Sequence, residues 1–106
     1  MTSEHLTGLL AQRVMGWEVG PGRFLTGGRG WLPRWRFQPV LRMADTSRLL
    51  EKASPQEYAM GAAENGLFWA RVQIAGQTGE ACERSQARAM TLAIARAIGL
   101  KVDEVE

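Results

Sequence analysis

The chain is poor in the side chains that most catalytic and metal chemistry requires. Its 106 residues include one cysteine, Cys82, and one histidine, His5. A lone cysteine cannot cross-link the chain to itself, so a disulfide framework is excluded and a reducing compartment is the natural setting. With only Asp45 and Asp103 as aspartates, a structural zinc set of soft ligands cannot be assembled, and no metal or cofactor is expected. A cysteine nucleophile would need Cys82 and His5 brought together from opposite ends of the sequence, with Glu80 and Glu83 opposing a thiolate. The nine glutamates read as solvated surface rather than as a glycosidase pair. The expectation is a protein without enzymatic activity.

Long apolar runs are missing too. No stretch approaches the roughly 20 residues that cross a bilayer, so no membrane partner is expected. Met1 to Leu10 has no basic region ahead of an apolar core, which argues against a signal peptide. No lysine precedes Lys52, and the phosphate-loop pattern is absent. The dinucleotide fingerprint fails because Gly20-Pro21-Gly22 leads into Phe24 and Leu25.

What is present is 45% hydrophobic and 23% charged, an ordinary globular composition for one domain. The net charge of +2 is unevenly spread. Residues 23–48 carry Arg23, Arg29, Arg34, Arg36, Arg42 and Arg48 against Asp45 alone, while the segments on either side are net acidic. Arginine presents a planar fork suited to carboxylates and phosphates and stacks on rings.

Periodicity gives the elements. Leu6, Leu9, Leu10 and Val14 form a helical stripe, with Thr2 or Ser3 to cap it and Gly16 to end it. Residues 16–33, with six glycines and two prolines, read as a long loop or a ragged hairpin around Phe24 and Leu25. Pro33 and Pro39 bracket an expected edge strand, Arg34 to Gln38, with Trp35 and Phe37 on one side and Arg34 and Arg36 on the other. Self-association through that edge is one expectation. Asp45 is the expected cap of a short helix running to Ala53, where Ser54-Pro55 stops it. Asn65-Gly66 predicts a tight type I′ hairpin, whose second arm turns Phe68, Ala70, Val72 and Ile74 to the core and Trp69, Arg71 and Gln73 away. After a polar connection, Gly76 to Glu83, a helix from about Arg84 to Ile98 presents Met90, Ala93, Ile94, Ala97 and Ile98, and Gly99-Leu100 closes it. The fold class is therefore α+β: three helices on a three-stranded sheet, order α-β-α-β-β-α, over residues 1–100. Residues 101–106 are an acidic tail expected to fray.

Val14-Met15-Gly16-Trp17-Glu18-Val19, Phe37-Gln38-Pro39 before Asp45, Leu49-Leu50-Glu51-Lys52 and the closing Ala89 to Ala97 resemble the phage α-β-α sandwich domain family of small bacteriophage proteins. The likeness spans nearly the whole chain. Where that family carries a polar stretch after its F-x-P, Val40-Leu41-Arg42-Met43 stands here. The resemblance implies a phage or prophage origin and the host bacterial cytoplasm, and no settled activity. The hairpin and last helix also look like the end of a double-stranded-RNA-binding domain. The lysines of such a helix start are replaced here by Gln86, Ala87 and Met90, which removes the phosphate grip.

Basic residues interleaved with aromatics are the remaining signal. Arg29, Trp31, Arg34 and Arg36, with Trp69 and Arg71 as a second patch, combine the residue types of protein-binding hot spots and of single-strand nucleic-acid surfaces. Whether Trp31 and Trp35 are core or surface stays open, as does whether the short middle helix covers Trp69. The reading is a binding protein that docks on a host or phage protein complex, such as an RNA-guided nuclease of host defence. Nucleic-acid binding through segment 29–36 is the alternative, and a homodimer is compatible with either.

Overall fold

A computed structural model describes residues 1–27, 30–102 and 105 of the chain. Its elements are α1 (Ser3–Arg13), β1 (Glu18–Gly20), β2 (Arg23–Leu25), β3 (Trp31–Pro33), α2 (Met43–Ala53), β4 (Glu57–Ala62), β5 (Phe68–Ile74), β6 (Gln77–Glu83) and α3 (Gln86–Ala97). Short 3-10 turns occupy Arg34–Arg36 and Glu64–Gly66. The fold is α+β with three helices, but it holds two antiparallel three-stranded sheets, β1-β2-β3 and β4-β5-β6, where one was expected. A helix followed by a three-strand meander occurs twice before α3 closes the chain.

The first half is built on α1 and an aromatic cluster. The Thr2 hydroxyl caps α1 by accepting from the His5 N–H, and Leu6 and Leu10 are fully buried as their spacing requires. Gly16, at φ +73, lets the chain reverse into β1. The glycine-rich segment 16–33 is thus a meander, with Val19 opposite Phe24 and Phe24 opposite Leu32 on its inner face. Phe24, Trp17 and Phe37 meet with ring centroids 5.0–5.9 Å apart, Phe37 standing edge-on to both others. Such geometry adds about 0.5–1.5 kcal/mol per pair beyond the area buried.

The expected strand Arg34–Gln38 does not form. Pro33 ends β3, Arg34–Arg36 coil into a 3-10 turn, and the Phe37 N–H donates to the Arg34 carbonyl. A turn of this kind does not keep alternate residues on one side, so Trp35 and Phe37 part company: Trp35 is exposed and Phe37 is buried. Asp45 is also not the cap of α2. It lies inside the first turn, where its carboxylate accepts the Gln38 N–H at 2.9 Å and pins the approach segment to the helix.

The second half centres on α3. Its cap is Ser85, whose hydroxyl accepts from the Arg88 N–H. Apart from Arg88 and Arg96, the residues Ala87–Ala97 are buried, a far wider face than the stripe expected, because α3 packs on β5 and β6 and also against α2. The alanines let the helix lie close to the sheet. At Gly79 on β6, a Cβ would come within 2.1 Å of the Ala93 carbonyl oxygen. Behind α3, Thr46 and Thr91 both donate to the Pro39 carbonyl, at 2.6 and 2.8 Å.

Two further expectations need correction. The connection between β4 and β5 is not a two-residue turn: Glu64–Gly66 form a three-residue loop with Asn65 at φ 62 and Gly66 at φ 74, and Ala63 donates to the Leu67 carbonyl. The supposed connection Gly76–Glu83 is mostly strand β6, joined to β5 through Ala75 (φ 51) and Gly76 (φ 82). Of the tail expected to fray, Val102 and Val105 are buried, with Arg96 donating to the Val102 carbonyl and Arg88 to the Val105 carbonyl. The acidic residues Asp103, Glu104 and Glu106 lie outside the described residues.

Candidate binding surface

The segment from β3 to the start of α2 carries three large exposed apolar side chains. Trp31 is 58%, Trp35 61% and Leu41 71% exposed. Exposed rings of this size, held on fixed backbone, are the usual anchors of a protein contact. The backbone here is fixed: Arg34 donates to the Gly22 carbonyl, Phe37 is locked among aromatic rings, and the Thr46 and Thr91 hydroxyls hold Pro39. Trp35 and Leu41 rim a groove of about 200 Å³. Buried Phe37 and Val40 line it, the N-terminal half of α1 adds Ser3, Glu4 and Thr7, and Arg34 and Gln38 complete it. Leu41 and the α1 wall were not in the sequence reading, because the groove joins residues some thirty positions apart.

The arginines divide into two kinds. Arg34 is structural. Its guanidinium donates to the Glu4 carbonyl at 3.0 Å, lies 3.5 Å from the Glu4 carboxylate and sits 5.0 Å above the Phe24 ring. Arg48 stays exposed, with its guanidinium 3.9 Å from the Asp45 carboxylate and 5.9 Å from the Trp17 ring. Arg36 is exposed and stacks at 5.5 Å over Trp35, and among the described residues it has no ion-pair partner. Arg29 lies outside the described residues. Of the described members of the expected cluster, Trp31 pairs across the strands with Leu25 on the outward face of the first sheet, and Arg36 stacks on Trp35 at the groove's rim.

Trp69 and Arg71 are on the outward face of the second sheet. α2 does not cover them, because it packs on α3 at the opposite side. Trp69 is 39% exposed and its indole lies over Gly61, where an added Cβ would meet the ring at 2.7 Å. Arg71 pairs across the strands with Glu80 at 3.6 Å, and Cys82 is exposed opposite Trp69. Both partners of that ion pair are well solvated, so it adds little stability. Among the described residues no group of three or more His, Cys, Asp or Glu side chains converges to hold a metal ion. No helix of the described residues is long and apolar enough to cross a membrane.

The molecule is thus a small α+β domain with an aromatic-rimmed groove beside its first helix. Its fold is shared with a crystallised phage protein from Bacillus cereus ATCC 14579: the TM-score is 0.77 at 12% identity, over 97% of this chain and 93% of that one. At that identity the likeness defines the architecture. No protein-family model matches the sequence, and no curated protein matches it either.

Proposed function

We propose that this chain is a phage accessory protein that acts without catalysis, in the host bacterial cytoplasm, by docking on another protein. The observation that carries the reading is the exposure of Trp35 and Leu41 at the rim of a groove lined by buried Phe37 and Val40. Large rings over a preformed depression gain apolar burial on binding with little ordering cost. The shared architecture with a phage protein supports the origin. Inhibition of a host defence complex, such as an RNA-guided nuclease, is the task we assign to it.

The test is plating efficiency of a phage targeted by such a nuclease, in cells that express this protein. Wild type should restore plaques, and Trp35→Ala with Leu41→Ala should not. Equal plating with and without the protein would refute the defence-inhibitor role.

Nucleic-acid binding is a second reading, favoured by one observation: the exposed Arg36 guanidinium over the Trp35 ring is the kind of pair on which bases stack. Against it, Arg34, in the same segment, is engaged by Glu4 and the Phe24 ring. A gel shift with single-stranded DNA and RNA separates the two, since phosphate-driven binding weakens steeply as salt rises. Absence of a shift at low salt would leave the protein-docking reading alone.

A further inference from the structure

The two edges of the second sheet are treated differently. In an antiparallel ladder, residues alternate between pointing their N–H and C=O at the neighbouring strand and pointing them away. Ala63 donates to Leu67 at the loop end of β4, so with the register Ala62 to Phe68 and onward, the backbone groups of Tyr58, Met60 and Ala62 point away from β5. The same alternation across β5 points those of Thr78, Glu80 and Cys82 outward from β6. That far edge is occupied. Arg96 donates to the Glu80 carbonyl at 2.7 Å and to the Val102 carbonyl, and so holds the C-terminal segment beside β6.

Among the described residues nothing of the kind protects β4. The sheet ends there, and Tyr58 (60%), Ala59 and Ala62 are exposed. Natural edge strands are blunted by lysine, proline, a bulge or a covering element. Glu57–Ala62 is a six-residue strand with no lysine or proline, paired residue for residue with β5 without a bulge.

We propose that β4 is an interface between two copies of this chain, paired antiparallel about a two-fold axis at Met60 to give a continuous six-stranded sheet. This goes beyond the docking groove and does not depend on it. The self-pairing brings no like charges together. In this register Tyr58 stands opposite Ala62 of the second copy and Met60 opposite its own copy, and these are the residues whose backbone groups point outward, so each pair exchanges both of its hydrogen bonds. Between them, Ala59 meets Gly61, and both are small enough to let the strands close. Glu57 is the one charged residue of the strand and falls opposite Ala63, so no like charges face each other. The parity of the outward residues places the core face of both copies on the same side, so both α3 helices share one face of the joined sheet.

Sedimentation equilibrium on the wild-type chain should give twice the 11.7 kDa chain mass. Tyr58→Lys with Ala62→Lys sets lysine against lysine twice across the axis at exposed positions, and should give a folded monomer by circular dichroism. Mixing that variant with Tyr58→Glu/Ala62→Glu should restore the dimer, since opposite charges then pair. Met60→Pro is a second probe, because it removes an N–H that points out of the sheet and leaves the bond network with β5 intact. A monomeric wild type at every loading concentration would overturn the proposal. So would a lysine variant that stays dimeric, or a charge-paired mixture that stays monomeric.

Discussion

Arg34 and Arg36 stand two residues apart in a basic run, yet Arg34 contacts a carbonyl, a carboxylate and an aromatic ring within the fold, whereas Arg36 meets only the exposed face of Trp35. Removing Arg34 leaves the first turn of α1 without its tie to the first sheet. Arg34→Ala should destabilise the chain by about 1–2 kcal/mol, in the range of a lost charge-assisted hydrogen bond. Arg36→Ala should stay within about 0.5 kcal/mol of wild type, as surface substitutions do. Urea unfolding followed by circular dichroism measures both, and an equal cost for the two would show that the division is false. The sequence could not separate these arginines, because the partner of Arg34 is Glu4, in a helix thirty positions earlier. Glycines differ at the same scale. At Gly79 an added methyl would run into the backbone of α3, whereas at Gly61 it would meet the edge of the Trp69 ring. Backbone cannot give way as a side chain can, so Gly79→Ala should lower stability by about 3 kcal/mol or more, toward the top of the range for overpacking and beyond. Gly61→Ala should cost less. Thermal melts of the pair test the order.

Elements held by periodic apolar residues were readable one at a time. α1 follows from Leu6, Leu10 and a Thr2 cap, α3 from its alanine-rich run, and the inner face of β5 from the alternation of Ala70 and Val72. β6 was not readable, since Gln77, Thr78, Glu80 and Glu83 give it a polar composition. What it puts inward is Gly79 and Ala81, small residues whose purpose appears only when α3 lies on them. The segment Arg34–Gln38 failed in the opposite way: its alternating pattern suits a strand, but no neighbouring strand continues the ladder beyond Pro33. Asp45 looked like a cap by position and instead fastens Gln38 to α2. Asp45→Asn keeps an acceptor but loses the charge, and Asp45→Ala loses both. The expected order of stability is therefore wild type, then Asn, then Ala, with the Ala variant lower by about 1–3 kcal/mol for the orphaned N–H. Chemical denaturation reads it.

At the scale of the whole molecule, the composition favours contact over reaction chemistry as a reading, and the structure separates the residues that this reading names. Trp31 and Trp35 are on the surface; Arg34 is engaged by Glu4 while it also lines the groove; Leu41 completes the rim. The groove itself was invisible in one dimension, because α1 contributes a wall that no local pattern announces. Affinity capture from a bacterial lysate, with nuclease treatment, tests the central claim most directly. The wild-type chain should retain a defined protein partner after nuclease, and Trp35→Ala/Leu41→Ala should lose it with an unchanged circular dichroism spectrum. Retention of that partner by the folded double variant would contradict the account.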